Sequence, residues 1–485
     1  MTPTRRDAYG LFVRGAEALA KATDKGFRYD DVAGGYAIRK LGKQAAEAKQ
    51  AIWDSKPGKL WRRRYGRRAS LESGKQLRVM LYNELGLPVL KNTKKGGKAS
   101  TDKDTLGQLD HPLCDAILGM RKLDTLKGFL DQWQRECVDG LVHPNFGLGN
   151  AISYRSSSNL PNAQNIPVRD PVQANVIRAL ILPRKGSQLV ELDYRSLEVR
   201  VAACYHHDPV MVKYLRGHGD MHADTAMAIY LLSEKQVNKM SRYAAKGRFV
   251  FAEFYGSYWR AVAPDCWKAC RELALEVDGV PMRKHLAKAL RMPKTTAACR
   301  KRAATDTALS KFAEDVFEGD WEPTLDNVQY LIFAQHLRKV ERHFWHVRFP
   351  VYNQWKKDWY ALYQSNGYLD TLTGFRCAGH FRKNAVLNYP VQGSAFHCLL
   401  WAFTQITNEL EARGMKTFLL GQIHDSIIAD VAPGELEQYL TIAHRIMTVD
   451  LVKHWPWITV PMEVETEVAP VDAPWLDKKE YEFAA

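Results

Sequence analysis

The chain has 485 residues, 46% of them hydrophobic and 25% charged, which is the composition of a globular protein of roughly two to four domains. Lys and Arg outnumber Asp and Glu by 69 to 54, which favours nucleic acid or an anionic membrane as a partner, or else a solvated basic surface. The 32 glycines and 21 prolines exclude a collagen-like or low-complexity chain, and the N-terminus lacks the apolar segment of a secretory signal. We therefore expect a globular, cytoplasmic protein that does not enter a membrane.

The first 140 residues are predicted to be mostly helical and basic. The segment 56–70 carries seven cations together with Trp61 and Tyr65, a combination that suits contacts with phosphates but equally fits a solvated charged helix. Two further helical stretches, at 76–86 and from about residue 100 to 137, flank a cationic loop at 91–98. This part of the chain is therefore predicted to be an all-helical, basic region.

After Gly140 the pattern changes to short strands mixed with helices. A strand at 188–193 is predicted to pass directly into a helix at 196–204, and the region 234–345 is mostly helical. Strand signals return at 367–377, at the two apolar runs of 417–431 and at 459–468, and an uncharged helix is predicted after Gln392. Because helices and strands mix without a βαβ rhythm, the sequence predicts an α+β fold with a central antiparallel sheet.

Two aspartates lie where strands end or turn. Asp193 closes an apolar strand, and Asp425 lies between two apolar runs that predict a hairpin with a polar tip. Two such carboxylates on neighbouring strands could hold two Mg²⁺ ions roughly 3.5–4 Å apart, the arrangement used for phosphoryl transfer. Each aspartate, taken alone, also fits an ordinary turn or cap residue.

A second candidate element is the predicted helix at 241–255. Arg242 and Lys246 are four residues apart and therefore share a face, where they could bind the phosphates of a nucleoside triphosphate. Aromatic residues at 249, 251, 254 and 255 follow and could stack on a base. A core helix with an exposed basic face remains the alternative.

The order of three short segments is specific. The chain carries Asp193-Tyr194-Arg195-Ser196-Leu197-Glu198-Val199-Arg200, then Arg242, Lys246 and Tyr255-Gly256, then His424-Asp425. These segments resemble motifs A, B and C of the family A DNA polymerases, the relatives of bacterial DNA polymerase I and of many phage replicases. Segments 75–88 and 100–101 resemble the family's thumb, and 155–157 and 164–167 resemble the entry of its primer strand to the palm. Segments 220–222, 367–368 and 388–393 also fall in the family's order.

The resemblance implies a right-hand polymerase with an antiparallel-sheet palm, helical fingers and a helical thumb. The thumb, with a basic N-terminal extension, is expected at 1–140 and the palm at 141–201 and 346–485. The fingers are expected at 202–345, with a helical insertion after motif B. Within this insertion, residues 260–302 carry 11 basic against 4 acidic side chains, which suits contact with the template or a partner and equally suits a solvated subdomain.

Site residues follow from the resemblance position by position. Asp193 and Asp425, assisted by the carbonyl of Tyr194, are expected to bind two Mg²⁺ ions. Lys246 is also expected to protonate the leaving pyrophosphate, and Glu198 to exclude a 2′-hydroxyl from the nucleotide site. The residues expected at the nucleotide are Arg242, Lys246, His222, Glu198, Phe251 and Tyr255. Those expected at the primer-template are Arg155, Asn388, Gln392 and His424.

The chain departs from the family pattern at three places. Motif A has Arg195-Ser196 where the family commonly has Ser-Gln, and motif C has Ser426 where a glutamate is usual; we expect this to tune activity without abolishing it. Lys246 and Tyr255 are nine positions apart rather than the family's eight. A one-residue π-bulge would absorb the difference and place Phe251, not Phe249, on the nucleotide side.

The function implied is that of a phage-type, template-directed, DNA-dependent DNA polymerase of DNA replication. Only about 70 residues precede the thumb match, and residues 1–150 lack an Asp-x-Glu metal motif, so no intrinsic 3′→5′ exonuclease is expected. Expected partners are primer-template DNA and dNTPs, with a separate exonuclease, helicase or processivity factor as further candidates. A single-subunit RNA polymerase or reverse transcriptase and a non-catalytic primer-template binding factor are the alternatives, and Glu198 argues against the RNA polymerase.

Overall fold

The structure, a computed structural model, describes residues 3–93, 96–166, 171–317 and 321–482. Its α-helices are α1 (Arg5–Lys25), α2 (Asp31–Asp54), α3 (Lys56–Tyr65), α4 (Gly74–Arg78), α5 (Lys103–Leu106), α6 (Pro112–Glu136), α7 (Pro171–Arg178), α8 (Leu197–His206), α9 (Pro209–Leu215), α10 (Met221–Tyr230), α11 (Lys239–Ala245), α12 (Phe251–Phe254), α13 (Trp259–Glu272), α14 (Met282–Ala289), α15 (Thr296–Thr305), α16 (Thr307–Phe317), α17 (Leu325–His343), α18 (Pro350–Asn366), α19 (Lys383–Ala412), α20 (Leu436–His444) and α21 (Leu451–His454). Residues 94–95 of the predicted cationic loop, and Pro167 of the segment 164–167, lie outside the described residues.

Its strands are β1 (Phe27–Tyr29), β2 (Cys137–Val138), β3 (Leu141–Val142), β4 (Asn145–Gly147), β5 (Ser157–Asn159), β6 (Ile181–Leu182), β7 (Gln188–Tyr194), β8 (Glu276–Val277), β9 (Val280–Pro281), β10 (Tyr368–Asp370), β11 (Arg376–Ala378), β12 (Phe418–Ile423), β13 (Ser426–Val431), β14 (Val464–Val468) and β15 (Lys479–Glu480). Within the described ranges, π-helical turns occur at Val79–Glu84, Lys246–Val250, Phe344–Arg348 and Arg445–Asp450.

The largest sheet has the strand order β12-β13-β7-β14-β15, and every neighbouring pair in it is antiparallel. All six residues of β13 are buried, because this strand lies inside the sheet and α19 packs across it. The β12–β13 hairpin and the strand β7 were both predicted from their apolar runs. The predicted α+β fold with a central antiparallel sheet is therefore confirmed.

The long helix α19 begins earlier than predicted. It starts at Lys383 and contains Pro390, whereas the uncharged helix was placed after Gln392. A proline inside a helix leaves the carbonyl four residues earlier without its usual donor. Here that carbonyl, of Val386, accepts a hydrogen bond of 3.2 Å from the indole N–H of Trp359 on α18. A side chain from a distant helix thus allows α19 to continue through the proline.

The N-terminal helix α1 packs against α19 and β12 of the sheet region. A Cβ atom added at Gly15 would lie 2.7 Å from the Leu400 side chain, so the two helix backbones approach closely at this glycine. A separate apolar core joins residues between 52 and 120, among them Trp61 and Leu77. Helix α1 thus contacts the sheet region, and the assignment of residues 1–140 to a thumb with a basic N-terminal extension stays a prediction.

The region after motif B is helical, as predicted. Helices α13 to α16 follow one another there, and α13 packs along α17 around Trp267 and Phe333, whose ring centroids are 5.1 Å apart. Among the described residues, no helix is both long enough and apolar enough to cross a bilayer. The boundaries of the palm and fingers remain predictions.

Candidate active site

Asp193 lies near the end of β7, and Asp425 lies in the turn that leads into the neighbouring strand β13, at the polar tip of the predicted hairpin. Strand β7 pairs with β13 so that Asp193 faces Ser426, the residue directly after Asp425. His424 adopts a φ of 54° in the tight turn of the β12–β13 hairpin, and the carbonyl of Asp425 accepts a hydrogen bond of 3.2 Å from the backbone N–H of Tyr194. Both carboxyl groups line one cleft, whose wall His424 shares.

Burial raises the energy of the charged form of both carboxyl groups, and neighbouring negative charges raise it further. Burial, together with the negative charge of Asp425, raises the pKa of Asp193 to about 7. Burial and the charge of Glu198 raise the pKa of Asp425 to about 6. Two neighbouring, half-buried carboxylates provide the hard oxygen ligands that Mg²⁺ prefers, so this donor set fits a divalent cation.

The protein contributes few ligands to such an ion. In the described part of the chain, no group of three or more His, Cys, Asp or Glu side chains is arranged to hold a metal. Mg²⁺ commonly keeps several waters and binds through one or two carboxylates plus substrate phosphates, so a sparse site suits it. The Tyr194 side chain is buried and its hydroxyl donates a 2.9 Å hydrogen bond to the carbonyl of Met447, which leaves only its backbone carbonyl as a candidate ligand.

A third carboxylate near Asp193 was not predicted. Glu191 lies two residues earlier on β7 and therefore on the same face of the strand. It accepts a 2.9 Å hydrogen bond from the indole N–H of Trp475 and forms an ion pair with Lys478. The period-two spacing from Asp193 was a signal in the sequence, but the neutralising partner is 287 residues away.

The helix of motif B contains the predicted π-helical turn, at Lys246–Val250. Phe249 is fully buried and packs edge-on against Phe344 at a centroid distance of 5.4 Å. Phe251 is half-buried, and its ring lies 5.4 Å from the Nζ of Lys246. The predicted register is therefore confirmed, whereas stacking of Phe251 on a nucleotide stays a prediction.

The cations of this helix lie beside the start of α10. The Nε of Arg242 donates a 2.5 Å hydrogen bond to Asp220, the N-cap residue of α10. His222 contacts Phe251 edge-on at a centroid distance of 6.0 Å. Burial and the charges of Lys246 and Arg242 lower the pKa of His222 to about 4, so its ring is neutral at physiological pH.

A second cleft brings together residues from motifs A and B and from α19. The Tyr255 hydroxyl donates a 2.5 Å hydrogen bond to Glu198, and Arg155 lies 3.5 Å from the other oxygen of that carboxylate. The side-chain amide of Asn388 donates a 3.1 Å hydrogen bond to the carbonyl of Tyr255. Gln392 lines the same cleft. Five residues that the sequence predicted separately thus meet at one place.

The departures from the family pattern have local partners. Arg195 forms a 2.7 Å ion pair with Glu465 on β14, the residue directly opposite Asp193 in the sheet. The hydroxyl of Ser426 donates a 2.8 Å hydrogen bond to the carbonyl of Ile423 and so stabilises the hairpin turn. The serine therefore has a structural role at the position where the family usually has glutamate.

The cluster at 56–70 forms an exposed basic surface on α3 and the turn after it. Trp61 is fully buried, so it supports the helix from inside and cannot stack on a base. The exposed cations of this surface are Lys56, Lys59, Arg62, Arg63, Arg64, Arg67 and Arg68.

Comparisons with known proteins agree with this geometry. A sequence model described as DNA polymerase family A matches residues 39–271 and 340–473. The chain is 26% identical over 432 residues to "DNA polymerase I, thermostable" of Thermus thermophilus, covering 85% of this chain and 42% of that protein. It is 27% identical to DNA polymerase I of Chloroflexus aurantiacus, covering 83% of this chain and 37% of that protein. The chain thus spans about two fifths of the length of the curated relatives it matches.

A solved structure shares the fold. The POL domain of Pol1 from M. smegmatis, in complex with DNA primer-template and dNTP, superposes with a TM-score of 0.70 at 21% identity, covering 96% of this chain and 70% of that chain. The residues matched by the family model make up more than half of this chain and include both aspartates of the sheet and the helix with Arg242 and Lys246. The chain is therefore a member of DNA polymerase family A.

Proposed function

We propose that this chain is a DNA-directed DNA polymerase that extends a primer 3′-hydroxyl with dNTPs during DNA replication. The observation that carries the proposal is the pair Asp193 and Asp425, two half-buried carboxyl groups with raised pKa values that lie at the end of β7 and in the turn before the adjacent strand β13 and face one cleft. Membership of the family and the relatives named DNA polymerase I support it. So does the neighbouring M. smegmatis structure, which contains primer-template and dNTP.

Asp193 and Asp425, with the carbonyl of Tyr194, would hold two Mg²⁺ ions. Such ions lower the pKa of a bound hydroxyl and neutralise the charge of a departing pyrophosphate. The raised pKa values of both aspartates mean that bound cations compete with protons for the carboxylates. The pair of Glu191 with Lys478 removes one negative charge from the wall of this cleft.

Arg242, Lys246 and His222 would bind the triphosphate. Arg242 offers a planar fork of N–H donors, and Lys246 offers a point charge that can also give a proton to the leaving pyrophosphate. Arg242 donates to Asp220 through its Nε, which leaves the two terminal amino groups of its guanidinium for the triphosphate. Neutral His222 can donate one hydrogen bond without adding a charge.

Glu198 would select deoxyribose. Its carboxylate is held from two sides, by Tyr255 and by Arg155, so it cannot easily turn away from a 2′-hydroxyl. Phe251 would stack on the base of the incoming nucleotide. Arg155, Asn388, Gln392 and His424 would contact the primer-template, where minor-groove acceptors look alike in every correct pair.

A primer-extension assay tests this function. DNA and RNA templates are each combined with deoxyribonucleotides and with ribonucleotides, and we expect extension of the DNA primer on DNA with deoxyribonucleotides. Extension that prefers ribonucleotides, or an RNA template, would instead favour the RNA polymerase or reverse transcriptase alternative. No extension at all, with primer-template binding retained, would favour a non-catalytic binding factor.

Asp193→Asn and Asp425→Asn test the metal assignment. Each variant should lose nearly all extension while it keeps primer-template binding, because duplex affinity comes from many dispersed cations. Asp430→Asn, on the same hairpin but away from the cleft, is the control for substitution of a buried carboxyl group. Extension by either active-site variant at more than about a tenth of the parent rate, roughly 1.4 kcal/mol of barrier, contradicts the assignment.

We further propose a phage-type enzyme of the host cytoplasm whose chain does not shorten primers from the 3′ end. The absence of an Asp-x-Glu motif in residues 1–150 supports the second statement. A separate exonuclease, a helicase or a processivity factor would then act beside it. Incubating the purified chain with a 3′-mismatched primer and Mg²⁺ should give no shortening, and shortening that co-purifies with the chain would show that the inference is wrong.

A further inference from the structure

The insertion after motif B contains a stretch with one sign of charge. Residues 279–305 include eight Lys or Arg side chains and no Asp or Glu. They lie between the two ranges, 39–271 and 340–473, that match the family model. This charge is therefore a property of the insertion itself and requires its own explanation.

Most other arginines around the insertion are paired and hold its helices together. Arg260 forms a 2.6 Å ion pair with Asp315, and Arg283 forms a 2.9 Å ion pair with Asp326. Arg302 lies 3.8 Å from Asp306. These three arginines therefore have a structural role, because each of them pairs with an aspartate of the same region.

The remaining cations are different. Among the described residues, none of them lies in an ion pair, and all are exposed. We call them the insertion surface: Lys284, Lys288, Arg291, Lys294, Arg300 and Lys301.

The insertion surface is continuous along the chain. Lys284 and Lys288 are four residues apart and share one face of α14. Arg291 and Lys294 follow in the linker to α15. The guanidinium of Arg302 on α15 donates a 3.3 Å hydrogen bond to the carbonyl of Arg291, which fastens α15 to the linker. Six like charges that follow one another within 18 residues, with no ion pair to any of them among the described residues, favour a polyanionic ligand.

The surface suits a phosphate backbone better than exposed bases. Among the described residues from Leu273 to Phe317, the only large apolar side chain that is markedly exposed is Val280, and no aromatic ring is available there for stacking. Binding of single strands by stacking requires such rings. Contacts with phosphates require only cations, and they do not depend on base sequence.

The insertion is fixed to the helix that would bind the nucleotide. Helix α13 packs against the π-helical turn that begins at Lys246, and Arg248 in this turn forms a 3.1 Å ion pair with Glu272 at the end of α13. Each incoming nucleotide must pair with a template base, so the unpaired template must pass close to this helix. The insertion surface is attached to the same structural unit.

We propose that the insertion surface binds the phosphates of the single-stranded template ahead of the active site. This inference rests on the proposed polymerase function. It assigns a ligand to a segment that the family model does not cover. Its contribution depends on the charge of the side chains and on the length of the unpaired template.

The experiment measures the affinity of the full chain for primer-templates by fluorescence anisotropy at several salt concentrations. Two substrates share one duplex and carry an unpaired template of about two nucleotides or of about 20, which is longer than a single-strand site of roughly 4–16 nucleotides. The variants are K284Q/K288Q/K294Q, which removes three charges, and K284R/K288R/K294R, which keeps them. Thermal unfolding shows whether each variant is folded.

With the long template, the Gln variant should bind more weakly than the parent. The slope of log affinity against log salt should also be smaller in magnitude by about 2, because each of the three lost phosphate contacts contributes about 0.7 to that slope. The Arg variant should match the parent, and all three proteins should bind the short template equally. An unchanged slope in the Gln variant overturns the proposal, as does an equal loss on both substrates or in the Arg variant. Failure of the parent to extend primers would refute the polymerase function instead.

Discussion

Glu198 is the residue on which the proposed selection of the sugar depends. Its carboxylate accepts a hydrogen bond from Tyr255 and lies 3.5 Å from Arg155, so two partners from different segments fix its position. Such a group excludes a 2′-hydroxyl by its volume. A substitution that shortens the side chain therefore tests its role.

Glu198→Ala should admit ribonucleotides more readily. The ratio of kcat/KM for a deoxyribonucleotide to that for the matching ribonucleotide should fall by about 10-fold or more, because one misfitting group is worth roughly 1–3 kcal/mol. Tyr255→Phe removes the hydroxyl that holds Glu198 but keeps the carboxylate, so its ratio should fall less. An unchanged ratio in Glu198→Ala would place the selectivity elsewhere.

The two phenylalanines of motif B should differ in what they affect. Phe251→Ala should lower kcat/KM for nucleotides by about 5–150-fold, because stacking on one base is worth roughly 1–3 kcal/mol. Phe249→Ala should instead lower the free energy of unfolding by about 3–5 kcal/mol, because its ring is fully buried against Phe344. A nucleotide defect in Phe249→Ala that Phe251→Ala lacks would show that the assignment is reversed.

At the scale of elements, the motif B helix is shaped by its π-helical turn. This turn packs against a second one at Phe344–Arg348, through the contact of Phe249 with Phe344. Beyond the turn, Glu253 is fully buried and accepts a 2.7 Å hydrogen bond from the indole N–H of Trp345. Burial raises the pKa of Glu253 to about 8, which favours its neutral form in this apolar contact. The contacts of Phe249 with Phe344 and of Glu253 with Trp345 therefore fix the register of the motif B helix on its buried side.

Deleting Gly247 should be tolerated, because it removes the extra residue and converts the π-helical turn into regular α-helix. A Cβ at this position would meet no neighbouring atom within 4 Å, so the glycine itself makes no close contact. The kcat/KM for nucleotides should stay within about a factor of ten of the parent, roughly 1.4 kcal/mol.

Insertion of an alanine after Gly247 is the matched control for this deletion. It should abolish extension, because one added residue rotates a helix by about 100° and turns Lys246 away from Phe251. Loss of activity in the deletion variant with retention in the insertion variant would contradict the role given to the turn.

At the scale of the whole molecule, stability should depend on histidines buried in the neutral form. Burial lowers the pKa of His206 and of His397 to about 3. His397 is fully buried, its Nδ1 accepts from the Thr373 hydroxyl at 2.6 Å, and its Nε2 donates to the carbonyl of Tyr154 at 3.2 Å. The accepting role of Nδ1 requires the neutral ring, whereas the Nε2 hydrogen bond fits either form, so burial is what disfavours the charged ring.

The buried histidines should lower the free energy of unfolding as the pH is reduced from about 6.5 towards 4, whereas Asp193, Asp425 and Glu253, whose pKa values are raised, act in the opposite direction. The unfolded chain binds a proton at each histidine near its ordinary pKa, whereas the folded chain does so only near pH 3, so each such histidine costs about 1.4 kcal/mol per pH unit in this range. Urea unfolding of the parent and of His397→Gln at pH 7 and pH 5 measures this. On going from pH 7 to pH 5, the free energy of unfolding of the variant should change in the stabilising direction relative to that of the parent, and an identical change in both proteins would exclude His397 as a cause.

Part of the site was predictable because its causes are local. Alternating or continuous apolar runs fixed β7, β12 and β13, and their order in the sheet placed Asp193 beside Asp425. The spacing of Lys246 and Tyr255 is one residue longer than in the family, and this likewise predicted the π-helical turn. A helix that keeps both residues on one side must accommodate the additional residue within a few positions. Spacing along one strand or one helix is enough for such inferences.

What the sequence determined by itself was the set of motifs, the α+β class and the register around each candidate residue. The tertiary structure alone decided that Trp359 lets α19 continue through Pro390, that α1 packs on the sheet region, and that Lys478 neutralises Glu191 beside the aspartates. The physical reason is distance along the chain. A hydrogen bond or an ion pair needs its atoms within a few ångströms, and no local pattern shows which remote residue folding will bring there.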